Sequence, residues 1–217
     1  MRQLHAESWN LQKAYNAILQ ILEWRQNRLP LVLEDIHVQM LKSGMIYVHG
    51  RDMFHRPIVI FRPLMASSLG YAAIPEEMVV TLSFVLFYVN AHMSTPGKIE
   101  NHLSILDLEK AKPWELPIKC LKVFHSELGS QFKCKAVRGV LVNASTPFVW
   151  GWKTIKSILN EGQSAKTVLI GDNTCDEIKS IVCPCQLPAA YGGTAGVPDK
   201  WWPPTVPSYC NNKQFHH

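Results

Sequence analysis

Charged side chains are scarce in this chain: Asp, Glu, Lys and Arg make up 18% of its 217 residues, against about a quarter in an ordinary soluble domain. No block of five or more like charges occurs, so the formal charge of +5 is spread thinly. Diffuse basicity of this kind does not point to nucleic acid, and none is expected as a partner. It does suit transient visits to an anionic membrane surface. A long apolar run is missing as well. The longest covers 78–89, is broken by Thr81 and Ser83, and falls well short of the ~20 residues that span a bilayer. It reads as a buried helix. No signal peptide opens the sequence, and the six cysteines form no extracellular framework, so reduced thiols and a cytoplasmic setting are expected. Cys183-Pro-Cys185 resembles half of a metal site, but no second pair answers it at ligand spacing. The pair reads as loop thiols, and neither a metal nor a cofactor is expected.

The common enzymatic signatures are also missing. There is no GxSxG elbow, no P-loop and no GxGxxG after a strand. Cys134 and Arg138 stand too close together for a phosphate-cradling cysteine loop. Nine histidines are present, yet none has a nucleophile or carboxylate at a readable spacing. The chain therefore reads as a non-enzyme.

What is present is hydrophobic side chains, 47% of residues, in a length that suits one α/β domain with terminal additions. A helix is expected over 11–26, with Leu11, Ala14, Tyr15, Ile18 and Leu22 as its packing stripe. A shorter helical piece follows at 31–43. The β-rich runs 45–49 and 57–62 flank the turn-prone GRDMFHR and read as an antiparallel pair. Beyond them, helices at 75–93 and 113–128 alternate with strands at 103–108, 137–143 and 167–171. Such alternation implies right-handed crossovers and a largely parallel sheet covered by helices; the first hairpin makes it mixed. A short helix at 175–182 and LPAAYGGT close the pattern. The Pro-rich remainder, with Trp201-Trp202, should run over the surface without a core of its own. The expected organisation is a helical segment over 1–44, a central domain over 45–195 and an irregular tail over 196–217.

The segment AVRGVLVNASTPFVWGWKTIKSILNEGQSAKTVLIGD carries the most unusual helix. Thr146 is placed to cap it and Pro147 suits its first turn. Phe148, Trp152, Ile155 and Leu159 fall on one narrow face, whereas Trp150 projects from the opposite side among Lys153, Thr154 and Ser157. A helix with apolar anchors on both sides has two apolar environments to meet.

Five segments in order resemble the CRAL-TRIO family of lipid-binding proteins over nearly the whole chain. They are RQLHAESWNLQKAYNAILQILEWR, GRDMFHRPIVIFR, HLSILDL, RGVLVNAS and LPAAYGGT. The resemblance implies a mixed five-stranded sheet flooring a deep apolar pocket, with a mobile helix gating the entrance. By position that gate is 147–159, with Phe148, Trp152, Ile155 and Leu159 towards a phospholipid or other hydrophobic ligand and Trp150 towards the bilayer interface, which favours indole. It further implies that Lys166 lies near the lipid phosphate, that Gln163 takes the place of a threonine beside it, and that His102 and Ser104 match polar positions of phosphatidylcholine binders. There are departures. His5 and Glu7 stand where arginines are usual, Cys134 where an acid is usual, Val48 and Val59 where aromatics accompany the choline site, and His55 where a Gly is usual. The expected function is lipid binding and transfer between membranes. The alternative is a lipid-sensing scaffold whose protein partner docks on the Trp201-Trp202 tail, although that pair reads more readily as an aromatic anchor packed on the domain.

Overall fold

Five strands rich in β-branched residues form one sheet: β1 (Ile46–Arg51), β2 (Pro57–Phe61), β3 (His102–Asp107), β4 (Ala136–Ala144) and β5 (Thr167–Gly171). Their spatial order follows the chain, 1-2-3-4-5. β1 pairs antiparallel with β2, and every later pair is parallel. The mixed, mainly parallel sheet expected from the sequence is thus the observed one. The computed structural model describes residues 2–109, 118–132, 135–156, 167–171 and 176–208.

Among the described residues, the helices are α1 (Arg2–Ala6), α2 (Leu11–Arg28), α3 (Asp35–Ser43), α4 (Pro63–Ser68), α5 (Pro75–Tyr88), α6 (Ile118–Gln131), α7 (Thr146–Lys156) and α8 (Asp176–Lys179). Local chemistry sets several of their ends. The Asn10 side chain accepts a bond from the Lys13 N–H at the start of α2. Pro75 occupies the first turn of α5, where Glu76 and Glu77 meet the positive end of the helix dipole. At α3, the Glu34 N–H donates to His37 Nδ1 at 2.8 Å, which leaves Nε2 to donate to Glu77 at 2.7 Å. That pair ties α3 to α5.

The sheet separates two cores. On its front face, Val48, Val59 and Phe61 pack with Met40 and Leu41 of α3, Met78, Val79 and Val85 of α5, and Phe124 and Leu128 of α6. On its back face, Tyr47, Ile58, Ile60, Leu103, Ile105, Val140 and Val142 pack with Ile178, Val182, Leu187 and Tyr191. The alternation along β1 to β4 is the two-residue period of a pleated sheet covered on both sides.

One sequence expectation changes. The stripe Leu11, Tyr15, Ile18 and Leu22 of α2 is exposed; the helix turns Ala14, Ala17, Ile21 and Trp24 inward instead. Trp24 stacks on Phe87 of α5 with ring centres 6.2 Å apart. Both stripes have helical spacing, and the position of Phe87 decides which one packs. Leu11, Tyr15 and Ile18 of the outward stripe, with Leu4 of α1, line an open apolar groove of about 460 Å³.

The tail is tied into both cores, so Trp201-Trp202 is an aromatic anchor packed on the domain. Trp201 packs against Tyr47 at 4.6 Å between ring centres and joins the back cluster, while Trp202 meets Phe84 and Tyr88 and joins the front one. The two indoles therefore straddle the edge strand β1. Gly44, at φ 75, makes this possible, since any Cβ there would lie 2.5 Å from Trp201. Further on, the Gln186 amide donates to the carbonyls of Pro207 and Ser208 at 3.0 and 3.2 Å. Cys183 is free as expected, but Cys185 is disulfide-bonded. Spacing in sequence does not reveal which thiols the fold brings together.

Candidate ligand site and gate

The front face of the sheet is unevenly covered. Leu103, Ile105 and Asp107 of the central strand are buried on the back, whereas Ser104 and Leu106, pointing forward, keep part of their surface open. In the middle of a five-stranded sheet such side chains are normally covered on both faces. Partial exposure continues at Gly139 of β4 and Thr167 of β5. Val48, Val59, Ser104, Gly139 and Thr167 are successive cross-strand partners, so one transverse row of small side chains runs across all five strands. The next row is bulky and apolar: Phe61, Leu106 and Leu141.

α7 stands over that apolar row. Phe148 is fully buried among Leu108, Leu141 and Ala144, with Leu64, Leu106 and Trp152 packed around them. Full burial of such a ring is worth roughly 1.5–3 kcal/mol. Trp152 is half-buried and stacks near Phe148, ring centres 6.3 Å apart. On the other side of the helix Trp150 is 82% exposed and Val149 42% exposed. The structure thus places Phe148 and Trp152 inward and Trp150 outward. The helix begins at Thr146, with Ser145 rather than Thr146 at the cap position, and the Val149 N–H donates to the Ser145 carbonyl at 3.0 Å. Ile155 lies on α7, but its side chain is outside the described residues, as are Leu159, Gln163 and Lys166 altogether.

His102 and Ser104 share the forward face of β3. His102 is buried at the rim of a small cleft with Leu86, Val89, Asn90, Glu100 and Lys135. Burial, with the Lys135 ammonium nearby, lowers its pKa to about 4, so the ring is neutral at physiological pH. Lys135 itself donates to Asn90 Oδ1.

A polar cluster behind the sheet holds the root of α7, and sequence reasoning missed it. Asn143 adopts a left-handed conformation, φ 58, three residues before the helix. The backbone there leaves the regular register between β4 and β5, and the Asn143 amide donates to Asp107 Oδ1 at 2.9 Å. The Glu109 N–H donates to the same oxygen at 3.0 Å, and the Tyr191 hydroxyl donates to Oδ2 at 2.9 Å. Burial raises the Tyr191 pKa, and neighbouring Tyr47 and Asp107 add to the shift, so the phenol stays a donor. Asp107, Asn143 and Tyr191 come from HLSILDL, RGVLVNAS and LPAAYGGT. Their common presence was the only signal in the sequence that they meet.

Among the described residues no group of three His, Cys, Asp or Glu side chains could hold a metal ion, and no helix is long and apolar enough to cross a membrane. A family model described as the CRAL/TRIO domain matches residues 41–193. Two plant proteins from Arabidopsis thaliana, named phosphatidylinositol/phosphatidylcholine transfer proteins SFH11 and SFH4, are each 23% identical over 91% and 92% of this chain. The chain spans 57% and 36% of their lengths. In three dimensions, the crystal structure of Sfh5 superposes with a TM-score of 0.71 at 15% identity, covering 89% of this chain and 69% of that one.

Proposed function

Because this chain belongs to the CRAL/TRIO domain family, we propose that it takes up a phospholipid or similar hydrophobic ligand over the open front of β3–β5 and transfers it between membranes. The observation that carries this reading is the two-sided α7, with Phe148 and Trp152 turned to the sheet and Trp150 turned to solvent. The naming of SFH11 and SFH4 as phosphatidylinositol/phosphatidylcholine transfer proteins supports it.

The energetics explain why a gate is needed. Each acyl CH₂ is worth about 0.8 kcal/mol against water, so two chains of roughly sixteen carbons hold the lipid back by ~26 kcal/mol on an aqueous route. Passage from bilayer core to apolar pocket cancels most of that difference. In our reading α7 docks on the membrane through Trp150, opens over the floor, and closes again on Phe148, Trp152, Ile155 and Leu159. No covalent step is required. His102 and Ser104 offer uncharged polar contacts on the floor, while Lys166, which immediately precedes Thr167 of β5 in the chain, and Gln163 supply the phosphate contact. The lipid-binding unit is 45–195. Trp201 and Trp202 are both engaged within the fold, so we place the function in transfer rather than in a scaffold that presents those indoles.

Exchange of labelled phosphatidylcholine and phosphatidylinositol between vesicles tests the proposal. Trp150→Ala should slow exchange several-fold through weaker vesicle binding, and Trp152→Asp should release bound lipid from the purified protein. Equal exchange by both variants and the parent chain removes α7 as the gate. A parent protein that carries no lipid by native mass spectrometry and moves none would overturn the whole reading.

A further inference from the structure

The transverse row on the sheet floor holds a glycine that the fold does not require. Gly139 is not among the residues with positive φ, so an ordinary side chain suits its backbone. A Cβ built there meets only Thr167 Oγ1 at 3.5 Å and Thr167 Cγ2 at 3.9 Å, ordinary contact distances. Yet Gly weakens the interior of a strand, and in a central strand it often marks a close approach by a ligand or another backbone. Gly139 sits between β3 and β5 with Ser104 on one side and Thr167 on the other. The Ser104 hydroxyl makes no hydrogen bond to any described residue and remains partly accessible. One row further along, Leu106 and Leu141 close the floor.

From this geometry we infer that Gly139 is a specificity-determining position: it leaves a notch beside Ser104 that seats the wide, oxygen-bearing glycerol-ester region of a diacyl lipid, while the acyl chains lie along Phe61, Leu106 and Leu141 beneath α7. The inference rests on the lipid-binding reading above. Its chemistry follows from the lining. The row bears no charge, and the neighbouring His102 is neutral, so the notch suits a carbonyl or hydroxyl oxygen rather than a phosphate. Its width follows from the glycine, since a single acyl chain needs no such recess. Filling the recess by a few methyl groups should therefore exclude the diacyl lipid and spare a single-chain one.

The test incubates the full chain with vesicles containing equal amounts of diacyl phosphatidylcholine and oleic acid, then reads bound lipid by native mass spectrometry and folding by thermal midpoint. Gly139→Val should lower the ratio of bound diacyl lipid to fatty acid by about tenfold or more. Gly139→Ala, which adds only the tolerated Cβ, should lower it less and leave the midpoint unchanged or raised. An unchanged ratio in both variants overturns the inference, and so does an equal loss of both lipids by a Gly139→Ala protein of parental midpoint. Failure of the parent chain to take up either lipid would instead refute the lipid-binding reading on which the notch depends.

Discussion

His102 is buried at the start of β3, 7% exposed, and its pKa is about 4. An unfolded histidine titrates near 6.5, so between those values the unfolded chain binds the proton and the folded one does not. Stability from this group is complete above about pH 6.5 and is lost as pH falls towards 4, amounting to ~3 kcal/mol over the window. His49, whose pKa is also lowered by burial, adds to the loss in the same direction. Urea unfolding at pH 7.5 and pH 5 should show a clear drop in the parent chain. His102→Gln should show a markedly smaller one, with the His49 share left. A drop of equal size in the variant would mean that His102 is already solvated in the native state. The sequence marked His102 as a polar residue on a strand, and the structure agrees. Its depth and its neighbour Lys135 were not legible, because they depend on how the start of β3 meets the residues before β4. The same holds for Asp107, whose three donors come from distant segments.

The hairpin between β1 and β2 was legible as a turn, but the reason for its shape was not. Asp52 is fully buried and organises it: Oδ1 accepts from the Phe54 and Arg56 N–H groups at 2.9 Å each, and Oδ2 from Arg56 Nε at 2.6 Å. To close this cluster His55 adopts φ 60, a left-handed conformation that glycine takes at no steric cost. His55→Gly should therefore stabilise the domain by a few tenths to about 1 kcal/mol, read as a higher urea midpoint. A fall in the midpoint would show that side-chain contacts of His55 outweigh the backbone strain. At the same scale, α2 carries two stripes of helical spacing, and periodicity favoured the more hydrophobic one. Tertiary contact chose the other, because Trp24 finds Phe87 and Arg25 lies over the same ring at 6.0 Å. In α7 the apolar pattern and the packing coincide: Phe148 and Trp152 face the sheet and Trp150 faces solvent.

At the scale of the whole molecule, the tail is a strap across the β1 edge. Arg62 Cζ lies 4.6 Å from the Trp201 ring and 5.3 Å from the Tyr47 ring, and its Nε donates to the Gly44 carbonyl at 2.7 Å. An edge strand is an open row of donors and acceptors, and covering it removes a site of unwanted pairing. Trp201→Ala should cost ~2–3 kcal/mol in denaturant unfolding, through lost packing and lost cation–π contact. A change below about 0.5 kcal/mol, the range of ordinary surface substitutions, would show that the strap is dispensable. Composition suggested a tail without a core of its own, with the Trp201-Trp202 pair as an anchor packed on the domain. It could not show that the segment finishes a core built by residues far earlier in the chain. The strap also sets an order of events during translation. β1 and β2 leave the ribosome early, but the Tyr47–Arg62 end of the sheet acquires its covering indole only after residue 201 has been made. Until then the nascent chain exposes an aromatic edge, and a ribosome stalled before Trp201 would hold a chain whose β1 edge has no cover.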